Sequence, residues 1–189
     1  MKESFRSRLK RGDLLIGTLV TLASLETAEI IAEAGFDWLF VDMEHSTLGP
    51  PQAQAILQCV GERVDCVLRV PLNDEIWIKK ALDTGAAGIL VPQVNSIEDA
   101  RRAVRYSKYP LQGSRSVGMA RAHGYGAKSQ EYLEHANTTT AVIVQAEHIE
   151  AVHNIEAIIT VEGIDAVLIG PYDLSASMGL MGQVDCEGV

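Results

Sequence analysis

Short apolar runs alternate along this chain with segments whose apolar residues recur at helical spacing. Strand candidates fall at 14–20, 38–45, 66–71, 88–94, 140–147 and 165–169, each rich in Leu, Ile, Val or Phe and short enough for a strand buried on both faces. Between them the period lengthens. After the first strand, Ser24 stands as a helix cap, Glu26 and Glu29 occupy the first turns, and Gly35 lies just past the end. Pro50 and Pro51 open a second helix, as prolines can at a first turn, and Ala53, Ile56, Leu57 and Val60 give it an apolar face. Asn73 and Asp74 cap a third, which runs through Ile76, Ile78 and Ala81 to Gly85. Ser96 caps a fourth, from Ile97 to about Tyr106, and one more helix is predicted between the last two strands.

Strand–helix units repeating every roughly 25 residues specify a parallel sheet, either open and doubly wound or closed into a barrel. The polar residues favour the barrel. An open sheet gathers its ligand groups at one switch point, whereas here nearly every strand ends in a candidate: Glu44 and His45, Arg69, Gln93, Glu147, Asp173. The run Trp38-Leu39-Phe40-Val41 passes directly into Asp42, Glu44 and His45, at the carboxyl edge where such folds present catalytic groups. The segment 109–121 breaks the beat, and a long loop bearing glycine and arginine in a compact domain is usually functional.

Composition narrows the classes. The 189 residues are 47% hydrophobic and 22% charged, an ordinary globular balance in the size range of one domain. A formal net charge of −9 leaves no basic surface for nucleic acid. No apolar run is long enough to span a bilayer, and the charged start from Met1 to Arg6 leads into no signal core. Cys59, Cys66 and Cys186 are odd in number and lack metal spacing, so reduced thiols in the cytoplasm are expected. Glu147 and Asp173 close neighbouring strands without nearby cysteine. Such a pair suits a hard cation, Mg²⁺ or Mn²⁺, although solvated strand ends would look the same. His148 and His153 are wrongly spaced for zinc on one helix face.

Several segments together resemble the HpcH/HpaI family of metal-dependent, class II aldolases: Ala34-Gly35-Phe36-Asp37-Trp38, Val41-Asp42-Met43-Glu44-His45, Leu68-Arg69-Val70-Pro71, Leu90-Val91-Pro92, Val144-Gln145-Ala146-Glu147, and the stretch from Ile169 to Ser177. The resemblance spans essentially the whole chain. It implies a (β/α)8 TIM-type barrel, usually a hexamer, that cleaves 4-hydroxy-2-oxo acids to pyruvate and an aldehyde and also runs in reverse. It also implies metal ligands at Glu147 and Asp173 for Mg²⁺, Mn²⁺ or Co²⁺, a base at His45 oriented by Asp83, an oxo-acid arginine at Arg69 and a supporting acid at Asp42. Gln145 would hold a metal-bound oxygen, and the turn from Gly170 through Tyr172 would offer N–H groups to the pyruvate carboxylate. In the long loop, Arg115 and Arg121 could reach the far carboxylate of a dicarboxylic substrate in the same or a neighbouring subunit, although such arginines are more often only surface charges.

Two departures stand out. Leu19 replaces an aromatic residue that some relatives carry, which leaves the aldehyde open. The strand pattern stops after about six of the eight units a barrel needs, so residues 1–189 are expected to form a single, C-terminally incomplete barrel. Rival readings are a citrate-lyase-β-like enzyme acting on acyl-CoA thioesters and an inactive partial barrel that docks on a relative through its open edge. A nucleotide site at Gly124-Tyr125-Gly126-Ala127-Lys128 is disfavoured, since the stretch follows no strand and lacks full phosphate-loop spacing.

Overall fold

A computed structural model describes residues 3–189; Met1 and Lys2, part of the charged start considered above, lie outside the described residues. Six parallel strands pair in sequence order, β1 (Gly17–Val20), β2 (Trp38–Asp42), β3 (Asp65–Arg69), β4 (Gly88–Val91), β5 (Ala141–Ala146) and β6 (Ala166–Ile169). They curl into a half-barrel, so the parallel α/β class expected from the pattern is present, with six units rather than eight among the described residues. β1 and β6 pair on one side only, and Leu14, Ile16 and Leu19 near β1 and Ile169 on β6 expose apolar side chains there.

The strands stop short of their predicted polar ends for local reasons. After β2, the Asp42 carboxylate accepts the N–H groups of Glu44 (2.9 Å) and His45 (3.2 Å), turning the chain out of the ladder. β4 stops at Val91 because Pro92 has no N–H to give.

Helices α1 (Phe5–Arg11), α2 (Leu25–Glu33), α3 (Pro50–Val60), α4 (Glu75–Asp83) and α5 (Ile97–Ser107) come first. A 3₁₀ segment (Arg121–Gly126), α6 (Ser129–Thr139), α7 (Ile149–His153), α8 (Ile155–Ile159) and α9 (Pro171–Ser177) follow. Ser24, Asp74 and Ser96 cap as expected, their side chains accepting first-turn N–H groups of Thr27, Ile76 and Asp99. Asn73 does not cap; its amide donates to the Asp99 carbonyl at 2.9 Å. The single helix expected between the last two strands is two short ones that meet at Asn154. Three helices escaped the pattern reading: α1, α6, and α9, which takes in the predicted turn at Gly170 to Asp173.

Side-chain alternation along the strands separates two cores. Leu39, Val41, Leu68, Ile89, Val142 and Val144 point outward against the helices. Trp38, Phe40, Val67, Leu90, Ile143 and Leu168 point inward, where α1 places Phe5 against Trp38 with ring centroids 5.6 Å apart. Among the described residues no helix is long and apolar enough to cross a membrane.

Candidate active site

The inward row changes character at its upper end. On β2, Trp38 and Phe40 are followed by Asp42; on β3, Val67 by Arg69; on β5, Ile143 by Gln145. Because Asp42 and Arg69 are register partners, both arrive at one level. Arg69 grips Asp42 with Nε to Oδ1 at 2.8 Å and Nη2 to Oδ2 at 2.6 Å, and its guanidinium lies 5.0 Å from the centre of the Phe40 ring. Its Nη1 donates to Gln145 Oε1 at 3.3 Å, and Gln145 Nε2 donates to Glu147 Oε2 at 2.5 Å. Asp42, Arg69, Gln145 and Glu147 thus form one buried hydrogen-bonded chain along the carboxyl edge of the sheet.

Electrostatics divide its carboxylates. Burial pushes the Asp42 carboxyl up, but hydrogen bonds from Arg69 and the Glu44 N–H outweigh it, and the group is held below its ordinary range. Glu147 is raised, first by burial, with the Asp173 charge adding to it against the Gln93 N–H. Glu44 is raised chiefly by burial; its Oε2 has no hydrogen-bond partner although Arg69 Nε lies 3.2 Å away and His45 Nε2 3.7 Å away. The His45 side chain is 64% exposed, at the mouth of the cluster.

The other expected residues are distributed unevenly. Asp173 and Tyr172 lie in the first turn of α9, both exposed, and Asp173 is near enough for its charge to act on Glu147. Gly170 is at the site, but its N–H is bonded to the Ala146 carbonyl at 3.0 Å, so it is not free for a substrate. Its contribution is the side chain it lacks: a Cβ there would stand 2.8 Å from Glu147 Cβ and 2.9 Å from Gln145 Nε2. Gln145 bridges Arg69 and Glu147. Asp83 does not meet His45 within the chain. It ends α4, which returns to the opposite edge of the sheet, and its carboxylate accepts from Arg115 Nη2 at 2.8 Å.

Arg115 and Arg121 belong to that opposite edge as well. Arg115 is buried, 4.6 Å from the Tyr109 ring centre and bonded to the Tyr132 hydroxyl at 3.1 Å; Arg121 donates to the Thr84 and Leu57 carbonyls. Neither can serve a substrate at the carboxyl edge of this chain. Conversely, pattern reading assigned no role to Glu44 or to Gln93, whose backbone N–H donates to Glu147 Oε1 at 2.8 Å. Their place at strand ends was the only signal.

The matches to known proteins follow these same strands. The family model for HpcH/HpaI aldolase/citrate lyase covers residues 15–188. The chain belongs to the HpcH/HpaI aldolase/citrate lyase family. A hydroxypyruvate/pyruvate aldolase of Sagittula stellata is 44% identical over 184 residues, 96% of this chain and 72% of that protein. A 4-hydroxy-2-oxovalerate aldolase of Novosphingobium aromaticivorans is 41% identical over 181 residues, 95% of this chain and 69% of that protein. The crystal structure of an HpcH/HpaI family protein from Burkholderia cenocepacia superposes with a TM-score of 0.93 at 35% identity, covering 97% of this chain and 75% of that one. Like these aldolases, the chain is a carbon–carbon lyase.

HpcH/HpaI aldolases of class II use a divalent metal, and the residues at the site fit one. Asp42, Glu44 and Glu147 gather around Arg69, and the Asp173 charge acts on Glu147, an excess of negative charge that a cation would balance. Glycine at 170 keeps backbone close to Glu147 without crowding its carboxylate, since a Cβ there would stand 3.1 Å from Glu147 Oε2. Among the described residues no group of three His, Cys, Asp or Glu forms a cage; the Glu147 and Asp173 carboxylates are oxygen donors of the kind a hard divalent cation takes.

Proposed function

We propose that this chain carries out reversible, divalent-metal-dependent cleavage of a 4-hydroxy-2-oxo acid into pyruvate and an aldehyde. The observation that carries this reading is the buried Asp42–Arg69–Gln145–Glu147 chain with His45 exposed at its mouth. Cleavage needs a base for the 4-hydroxyl proton and a positive environment for the electrons left on the pyruvate fragment when the bond between the third and fourth carbons of the substrate breaks. His45 is the accessible base, and the imidazolium it becomes is balanced by Glu44. Arg69 is fixed by Asp42 and keeps N–H groups beyond those bonded to Asp42 and Gln145, so an oxo-acid oxygen can accept from a preorganised cation. Glu147 and Asp173 would hold Mg²⁺, Mn²⁺ or Co²⁺, which supplies Lewis-acid chemistry toward the oxo acid. An orienting role for Asp83 is open only to the Asp83 of a second copy in a homo-oligomer, since within one chain it faces Arg115. The setting proposed is cytoplasmic, supported by an odd number of cysteines without metal spacing.

The test is pyruvate release from 4-hydroxy-2-oxo acids of varied chain length, in chelator and after adding back each metal. Metal-dependent release is expected. Turnover of acyl-CoA thioesters alone would replace the aldolase reading with the citrate-lyase one. Binding to a longer relative, with neither metal uptake nor turnover, would make this chain an interaction module.

A further inference from the structure

Gln93 and Tyr125 are the non-glycine residues with positive φ among the described residues, and only Gln93, at φ 54°, lies at the carboxyl edge of the sheet. Such a conformation is uncommon for a residue with a side chain and persists only where surrounding structure enforces it. The enforcement is visible. β4 ends at Val91, Pro92 cannot continue the ladder, and the chain rejoins β5 at Val94, whose N–H reaches the Gln145 carbonyl at 3.4 Å. The kink between those points turns the Gln93 N–H onto Glu147 Oε1 at 2.8 Å. The Gln93 side chain does little by comparison: it is exposed, and its amide oxygen has Asn95 Nδ2 at 3.5 Å.

We infer that Gln93 is a positioning residue for Glu147, acting through a left-handed backbone that aims its N–H at one carboxylate oxygen while Gln145 holds the other. Glu147 is thereby fixed between two donors, one on each oxygen. The consequence for metal affinity rests on the function proposed above; the backbone contact does not.

Two measurements on the whole chain separate these. In protein labelled with ¹⁵N-glutamine, without metal, the Gln93 amide proton should exchange slowly with solvent and lose about tenfold or more of that protection in Glu147→Ala. A Gln93 amide that is unprotected, or indifferent to Glu147→Ala, would overturn the inference. Mn²⁺ titration then compares Gln93→Gly, Gln93→Ala and Gln93→Val, each checked for folding by circular dichroism and thermal melting. Glycine adopts positive φ freely, alanine with difficulty and valine hardly at all. Affinity should stay within about threefold of wild type in the glycine variant and fall by about 10- to 100-fold in the valine variant, the range for lost support of a metal ligand. Alanine should fall between, and the glycine–alanine contrast decides the matter if the valine variant does not fold. Equal losses in glycine and alanine would assign the role to the side-chain amide and overturn the inference. Wild-type protein that takes up no Mn²⁺ would sink the metal reading alone, leaving the exchange measurement to decide the role of Gln93.

Discussion

Arg69 and Asp42 meet as a two-pronged pair, at 2.8 and 2.6 Å, on neighbouring strands and almost wholly out of solvent. The same Asp42 oxygen that takes Arg69 Nε also takes the Glu44 and His45 N–H groups. One carboxylate therefore sets both the guanidinium and the loop that carries the base. Asp42→Ala should cost about 3–5 kcal/mol, because it strips a buried guanidinium of its two-pronged partner, and should abolish turnover. Urea unfolding checks the first and pyruvate release the second. A variant of wild-type stability would mean that the pair contributes nothing.

His45 and Glu147 should fail differently. Glu147→Ala or Asp173→Ala is expected to remove Mn²⁺ binding and turnover together, since one carboxylate leaves a hard cation with too few protein oxygens. His45→Ala should lower cleavage by about 10²- to 10⁴-fold, the usual range for a lost general base, with Mn²⁺ and pyruvate still bound. Calorimetric titration beside the cleavage assay distinguishes the two patterns.

Gly170→Ala tests the close approach of backbone to site. The new Cβ would press on Glu147 and Gln145 at under 3 Å, so Glu147 must shift. We expect about 1–3 kcal/mol of lost stability, together with weaker Mn²⁺ binding. Unchanged Mn²⁺ affinity would show that the site has slack the structure does not display.

Away from the site, Lys108 Nζ is buried and donates to the Thr140 and Asn137 carbonyls at 2.7 and 3.0 Å. Burial first, then the charges of Arg6, Lys10 and Arg115 against that of Asp165, bring its pKa from 10.5 down to about 8. Between those values the unfolded chain holds a proton that the folded chain has released. Stability contributed by this group therefore rises with pH across that window, by on the order of 3 kcal/mol. The difference in unfolding free energy between wild type and Lys108→Met, followed from pH 7 to 10.5, should grow in favour of wild type. A flat difference would refute the shift.

The edges of the sheet predict association. β1 and β6 leave ladder groups unpaired beside exposed Leu14, Ile16, Leu19 and Ile169, the arrangement that templates strand addition. The 189-residue chain on its own should self-associate in light scattering. A monomer with one sharp unfolding transition would contradict this.

The strands and the capped helices were legible in the sequence because burial and capping leave local marks: apolar runs, and Ser24, Asp74 and Ser96 at helix starts. α6 was not, for its sequence Ser-Gln-Glu-Tyr-Leu-Glu-His-Ala-Asn-Thr-Thr carries a weak apolar stripe and only Ala136 is buried. The residues of the Asp42–Arg69–Gln145–Glu147 chain could be named from strand ends and family resemblance, but their mutual bonds depend on register, which no local pattern encodes. Arg115 fits neither reading open to it, substrate contact or surface charge. Glycine and arginine in a long loop pointed to substrate, whereas the arginine is buried between two tyrosines and Asp83. Gln93 could be marked as a strand-end candidate, but the part proposed for it could not be read, because that part is played by its backbone.

The two-residue alternation that sends Asp42, Arg69 and Gln145 inward also governs how this protein can vary over generations. Removing one residue from β3 would exchange the directions of Leu68 and Arg69, driving a guanidinium into the layer under the helices and leaving leucine to face Asp42. Catalytic loss and misfolding would then arise from the same lesion, so single-codon deletions within these strands should be purged at once. Length changes can accumulate only in the connections, which makes the loops above the strands the part of the molecule free to acquire a new aldehyde preference while the oxo-acid end stays as it is.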